Sequence, residues 1–545
     1  MLSYKAIPMP TNTLKQIEKL NTIGASLSAE KDRSKLLEII LVGAKEITNA
    51  DAGTLYLVKD DTLAFEIIRT DSLHFAMGGT TGQEITLPPI PLHDAAGKPN
   101  LQNISAYAAV NDEIVNIPDA YNAQGFDFKG IKAYDSQNHY RSTSFLTIPM
   151  KNHENHIIGV LQLINRIDDN SQQVVAFSKA DEKLANSLAS QAAVAISNFT
   201  LVEALRELLE KFIEVIAAAI DDKSPYTGGH CRRVPEIANA TALAINNTTS
   251  GKFKNTRFSE QDLYELKIAA LLHDCGKITT PVHVVDKATK LETIFDRMAI
   301  IDQRIETLIK DAQIALLELK ADCADEETIK EAEVSYEAFR QQLKKDHDFL
   351  KNCNLGSEFM SDALTDEIKR IANYQWTDQH GNLQPLINDN ELMNLCIKKG
   401  TLNDEEREII NHHIVMTQNM LEALPFPRHL KNVPEIAGSH HERMDGKGYP
   451  HGIKAGTLSL QARLMCIADV FEALTATDRP YKKPMKLSTV LTILGKMTQE
   501  SHLDPDIFQV FIREKVYLTY AERYLNKEQI DEIDPELIPG YIVSH

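Results

Sequence analysis

The chain has 545 residues, 43% hydrophobic and 25% charged, which is too long for one compact core and globular in composition. Its 77 acidic side chains against 58 basic ones give a formal charge of -19, which argues against a general binder of nucleic acid or anionic membrane, since either needs a basic face. An anionic ligand would have to be held by local cations, meaning metals or a few placed Lys and Arg.

The amino terminus, MLSYKAIPMPTNTLKQ, lacks the basic and then apolar regions of a signal peptide, and no run of about 18 apolar residues predicts a membrane span. A first helix is expected near 14–28, and KLLEIILVGAKEIT repeats apolar residues at helical spacing. GTLYLV (53–58) and AFEIIRT (64–70) read as strands around the turn KDDT. A long polar loop is expected over 72–140, then two alternating strands, TSFLTIPMK and HIIGVLQLINR, and a helix from 179. That order resembles a GAF domain, an α/β (α+β) small-ligand sensor module, over about 25–200. Asn165-Arg166, Phe177 and Asp181-Glu182 are similar to the NKxnFxxxDE pattern of GAF domains that bind cyclic nucleotides, with Arg in place of Lys. The alternative is that Phe177 belongs to the core and the two acidic residues favour a helix start.

Residues 181–220 contain no Gly or Pro. Leu184, Leu188, Val194, Leu201, Leu205, Leu208, Phe212 and Val215 recur at threes, fours and sevens, which suits either a parallel dimer stalk or a helix packed on its own domain. SPYTGG then ends it, and nearly everything from 230 to 525 reads helical. An acidic helical insertion over about 293–395, a hairpin plus the polar loop TDQHGN, carries no motif and is read as a spacer or contact element. Six scattered cysteines without a CxxC pair fit a reducing cytoplasm rather than a disulfide scaffold or zinc ribbon.

Several polar residues stand where an apolar interior is expected. KIAALLHDCGKI places His273 and Asp274 directly after an apolar helical run, IAGSHHERMDGKGYPHG sets His440 beside His441, and LMCIADVFEALTATDRPYKK carries Asp469 through an apolar stretch. A His-Asp pair facing an interior is costly unless hydrogen-bonded or metal-bound. Each feature alone fits a satisfied core residue; together they supply the imidazole and carboxylate donors of first-row metals. Two such metals about 3.5–4 Å apart are a device for phosphoester hydrolysis.

The run YTGGHCRRV, LLHDCGKI, REIINHHI, HHERMDGKGYPHG and IADVFEALTATDRPYKK resembles an HD-GYP domain of the HD superfamily of metal phosphohydrolases, over about 220–520. The resemblance implies an all-α domain that hydrolyses cyclic di-GMP to pGpG or GMP. It further implies that His230, His273, Asp274 and Asp469 hold one metal, and that Asp274 bridges to a second held by His440, His441 and a histidine of the 405–424 helix. His413 shares the apolar face of Ile409, Ile410, Met416 and Met420, whereas His412 sits with Glu408, so His413 is preferred. Lys277 would contact phosphate oxygens beside Asp274 in catalysis, Tyr449 would line the substrate groove, and Arg479 and Lys482 would bind substrate; for each cation the alternative is a solvated surface charge. Gly446 and Gly448 permit the sharp loop, and Asp445 is expected to order it. Tyr226 stands where some family members carry the Glu of a third metal, so two metals are expected, iron or manganese by resemblance.

The sequence therefore predicts a multidomain protein: a GAF-like sensor at 14–180, a connecting helix at 181–222, an HD-GYP phosphodiesterase domain at 223–525 and a tail at 526–545. The expected activity is hydrolysis of cyclic di-GMP, regulated by a small ligand or a protein at the sensor. The expected form is a cytoplasmic homodimer that binds neither DNA nor membrane. Two competing readings are a hydrolase of another cyclic dinucleotide, such as cyclic GMP-AMP, and a nucleotide-binding receptor without turnover.

Overall fold

The computed structural model describes residues 11–223, 229–322, 325–356, 359–476 and 484–542. It divides into two compact units, Met1–Leu209 and Glu210–His545. In the first, α1 (Thr11–Ala29) and α2 (Arg33–Thr48) precede β1 (Ala50–Lys59), β2 (Thr62–Thr70), β3 (Phe75–Gly78) and β4 (Ile90–Pro91). Next come α3 (Ile104–Asn111), β5 (Val115–Ile117), α4 (Lys129–Asn138), β6 (Phe145–Lys151), β7 (Ile157–Ile167) and β8 (Val174–Val175). The strands form one antiparallel sheet of order β3-β2-β1-β7-β6-β5, with β4 on β2 and β8 on β7.

Period-2 alternation decides which side chain meets which layer. Leu55 and Leu57 of β1 and Leu161 and Leu163 of β7 join the helical layer, where Leu36, Ile40, Leu41 and Ala44 present one face of α2. Tyr56 and Val160 point to the opposite face with Leu63 and Ala109. The region expected as a polar loop over 72–140 instead holds β3, β4, α3, β5 and α4. Asn103 caps α3 through the amides of Ser105 and Ala106, and Phe128 and Ile117 pack under Phe145. These elements are too short for periodicity to declare them.

α5 (Lys179–Lys223) is one uninterrupted 45-residue helix. Its apolar residues do not form a single seam, as the sequence suggested. Leu188, Ala189, Ala192, Ala193 and Ile196 are buried in the first unit with Leu184 packed against them, and Ile213, Ala217 and Ile220 are buried in the second. Val194, Leu201, Leu205, Leu208, Phe212 and Val215 stand 47–65% exposed. By length and composition alone, α5 is also apolar enough to cross a membrane, although Ser190, Gln191 and Asn198 interrupt its apolar run.

The second unit is helical. α6 (His230–Asn247), α7 (Glu260–Leu272) and α8 (Val282–Val285) lead into the insertion. Its elements are α9 (Met298–Ala321), α10 (Glu326–Asn354), α11 (Asp362–Ala372), β9 (Gln375–Thr377), β10 (Leu383–Pro385) and α12 (Asp389–Leu395). Then follow α13 (Asp404–Asn411), α14 (His413–Glu422), α15 (Val433–Gly438), α16 (Leu460–Thr475), α17 (Leu487–Gln499), α18 (Pro505–Arg513) and α19 (Val516–Tyr524). The insertion has its own core, with Ile301, Ile305, Leu343, Leu350, Ile368 and Leu386 among it, and the expected polar loop is the tip of the β9–β10 hairpin. Lys290, fully buried, bonds the carbonyls of Leu395 and Ile397 at 3.1 and 2.8 Å and ties the far end of the insertion to its start. α6 packs on α7 and α16, while α15 packs on α7 and α14.

Candidate metal centre

Four helix ends deliver the histidines. α7 stops at Leu272; His273 is its C-cap and Asp274 leaves the helix with φ -101° and ψ 9°, so the pair sits at the helix terminus rather than within it. α13 breaks at His412, which is exposed, and α14 starts with buried His413. His440 and His441 follow the end of α15, and His230 opens α6. Asp469 lies within α16 among buried Leu464, Ile467, Ala468 and Phe471.

The rings of His230, His273, His413 and His440 are each turned by a bond at Nδ1. His273 bonds the carbonyl of Ala270 (2.8 Å), His440 that of Ala437 (2.6 Å) and His413 that of Ile410, each three residues back. A carbonyl only accepts, so Nδ1 donates and Nε2 presents a lone pair. His230 bonds Glu472 through Nδ1, and Arg233 holds the other oxygen of Glu472 at 2.6 Å. The Nε2 atoms converge on Asp274. Its Oδ2 lies 3.4 Å from both His230 and His273 and 2.6 Å from the Lys277 ammonium. Its Oδ1 faces His413 at 3.3 Å and His440 at 3.9 Å. Asp469 Oδ1 lies 3.3 Å from His230 Nε2. The donor atoms of His230, His273 and Asp469, of His413, His440 and His441, and of His273, Asp274 and His440 each lie within 4.8 Å of one another.

Electrostatics keep the carboxylates of Asp274 and Asp469 charged and the imidazoles of His440 and His441 neutral. Burial opposes charge on Asp274, but Lys277 and the surrounding imidazoles outweigh it and hold the carboxyl well below its usual range. Burial acts the same way on Asp469, and His230 and His273 outweigh it. Burial and neighbouring imidazoles drive His440 well below the usual imidazole value, and burial takes His441 down to about 4. Asp274 Oδ1, His413 Nε2 and His440 Nε2 are buried with no hydrogen-bond partner among the described residues. Buried polar atoms are rarely left so, and this set of carboxylate and imidazole donors fits first-row divalent metals.

The loop after His441 is ordered from within. Asp445 pairs with Arg443 at 3.0 Å and accepts from the amide of Lys447, and Gly446 has φ 77°. Glu442, buried, accepts the amides of His451 and Ile453, and the Tyr449 ring lies 4.8 Å from that of His441. Tyr226, Arg479 and Lys482 lie outside the described residues.

The sensor-pattern residues belong to the first unit and the cluster to the second. Phe177 is core, Asn165 accepts the Thr143 and Ser144 amides, Arg166 pairs with Asp181 at 2.8 Å, and Glu182 accepts from Asn116. Sequence reading passed over Glu472, Arg233, Glu442 and Thr417, which bonds Gly276 and His273. Only Glu472 left a signal, one helical turn beyond Asp469 in an apolar stretch.

Comparison with known proteins agrees with the two units. A GAF domain model matches 32–196, and HD domain models match 227–338 and 389–507. The chain is similar to the 3'3'-cGAMP-specific phosphodiesterase 1 of Vibrio cholerae serotype O1, 39% identical over 116 residues covering 21% of this chain and 26% of that protein. It is 31% identical over 175 residues to a probable cyclic di-GMP phosphodiesterase of the same organism, covering 30% and 39%, and 30% identical over 129 residues to the cyclic di-GMP phosphodiesterase of Thermotoga maritima, covering 24% and 34%. The chain thus spans between 26% and 39% of the length of these relatives. Among solved structures, the GAF domain from an Acinetobacter phosphoenolpyruvate-protein phosphotransferase matches 35% of this chain and 98% of that one, with TM-score 0.26 and 17% identity. The GAF domain/HD domain protein from Geobacter sulfurreducens matches 32% and 98%, with TM-score 0.22 and 16% identity. The HD domain matches both fall in the second, helical unit. The GAF domain match falls in the first.

Proposed function

We propose that the second unit, as an HD-GYP-type domain over 223–525, hydrolyses a cyclic dinucleotide, cyclic di-GMP, to pGpG or GMP. The observation that carries this reading is the division of Asp274: one oxygen faces His230 and His273, the other His413 and His440. In this reading His230, His273 and Asp469 hold one cation, His413, His440 and His441 hold a second, and Asp274 is shared. Iron or manganese there would supply Lewis-acid charge against the phosphodiester and lower the pKa of a water. Lys277 keeps Asp274 ionised and sets an ammonium beside the place of the scissile phosphate. Tyr449, which burial keeps as a neutral phenol, walls the groove next to His441. Arg479 and Lys482 are assigned to substrate phosphate or guanine by sequence pattern alone. The activities for which these relatives are named support a cyclic dinucleotide as substrate.

A second reading is favoured by one finding: a relative at 39% identity is named for 3'3'-cGAMP. The GAF domain (14–180) is assigned the regulatory role, through a small ligand or protein, and α5 (181–222) that of a stalk in a cytoplasmic homodimer. Turnover of cyclic di-GMP and of 3'3'-cGAMP by manganese-loaded protein, beside an Asp274→Ala variant, is the test. Asp274→Ala is expected to lose at least about a thousandfold, the scale of removing the main charge stabilisation at a reacting centre. Retained turnover would place the reaction elsewhere, and a preference for 3'3'-cGAMP would select the second reading.

A further inference from the structure

The last turn of α5 reaches both segments that carry the candidate cation ligands. Lys223, its final residue, donates to the carbonyls of Lys277 (2.8 Å) and Thr280 (2.6 Å) and to that of Ile278. These carbonyls end the turn that begins at Asp274, where a helical segment leaves acceptors without intrahelical partners. Asp221, two residues earlier and only 5% exposed, accepts the amide of Gly229 at one oxygen (3.1 Å) and that of Cys231 at the other (3.2 Å). Those amides flank His230. One helical turn therefore grips the His230 segment with a carboxylate and the Asp274–Lys277 segment with an ammonium. The two segments also meet at the cluster, where His230 Nε2 lies 3.1 Å from His273 Nε2.

We infer that Asp221 and Lys223 are positioning residues, through which the end of α5 sets the separation of His230 from His273 and Asp274 and thereby the affinity and activity of the candidate metal centre. The bonds described here run from both side chains to backbone groups of the ligand-bearing segments. Outer-shell partners of this kind commonly change metal affinity or activity by about 10–100-fold when removed. Because α5 runs unbroken from Lys179, a shift or rotation of the helix alters both grips together. This assignment rests on the proposed metal centre but not on the identity of its substrate.

The test uses the full chain and Mn(II) itself. Isothermal titration of metal-stripped protein measures Mn(II) affinity without substrate, and turnover of bis(p-nitrophenyl) phosphate measures kcat and KM separately. Lys223→Met, which keeps most of the aliphatic stem and removes the donors, is expected to weaken Mn(II) binding by about tenfold and to lower kcat by a similar factor with KM within about twofold. Lys223→Arg is expected to restore most of both. Asp221→Asn keeps one acceptor oxygen of two and is expected to give an intermediate loss; being isosteric, it keeps the test decisive should Lys223→Met be unstable. Wild-type Mn(II) affinity in both variants would overturn the inference. Wild-type protein that binds Mn(II) but turns over no phosphodiester would defeat the proposed function while leaving the positioning role to be read from the titrations.

Discussion

At the scale of single residues, chemistry depends on which nitrogen of each ring is left over. The Nδ1 bonds of His273, His413 and His440 to carbonyls three residues back need only a histidine at a helix end, a local geometry that costs nothing elsewhere. His230 begins its helix and has no such carbonyl, so a distant carboxylate, Glu472, takes the same part. Glu472→Gln is expected to weaken manganese binding about tenfold or more, since the amide no longer fixes the imidazole tautomer and Arg233 loses its ion pair; metal titration of the purified variant checks it. Gly276 is constrained by space. A Cβ there would stand 2.0 Å from the His413 carbonyl and 2.5 Å from the Thr417 amide, both backbone atoms that cannot step aside. Gly276→Ala is expected to cost about 2–3 kcal/mol of stability, by pushing α14 away from the turn after α7. Thermal unfolding reads that loss directly.

At the scale of elements, α5 carries three different faces along one helix. Near its start it fills the first unit's core with alanines, and near its end Ile213, Ala217 and Ile220 pack into the second. Between them, Leu201, Leu205, Leu208, Phe212 and Val215 alternate at four and three residues, the spacing of a two-stranded coiled-coil seam, and are exposed. Substituting Leu208→Glu is expected to convert the proposed homodimer to monomer in light scattering, because a carboxylate in that seam would have to be buried against its copy. A wild-type chain that is already monomeric at micromolar concentration would sink the stalk reading. The α13–α14 break at His412 belongs to this scale as well: His412 stands exposed at the break, and His413 opens α14 buried.

At the scale of the whole molecule, a cation in the candidate metal centre would tie together segments from His230 to Asp469. Ligands that bind only the folded state add stability by mass action, about 4 kcal/mol at a thousandfold excess over Kd. Chelation by EDTA is therefore expected to lower the melting temperature of the second unit by roughly 10 °C, at the few degrees per kcal/mol usual for that size. The first unit, with no part in the cluster, should melt unchanged. Calorimetry resolves the two, and an EDTA-insensitive second transition would count against metal as a structural tie.

The strongly patterned parts of this protein were legible in the residues alone. Alternating apolar runs announced β1, β2, β6 and β7; the unbroken apolar periodicity announced α5; and polar residues stranded in apolar context singled out His273, Asp274, His440, His441 and Asp469. Burying such groups is costly enough that their presence is itself a signal. The short elements between 72 and 140 were not legible, because helices of 8 and 10 residues and strands of 2 to 4 are too short to show a clear period. Nor was the α9–α10 insertion's own core, whose apolar residues come from segments far apart in the chain. Tertiary structure alone decided that Asp274 shows one oxygen to each histidine set, that Glu472 and Arg233 stand behind His230, and that the end of α5 grips two ligand segments. Those are distances between residues remote in sequence, and local pattern carries no information about which of many possible partners a buried charge will meet.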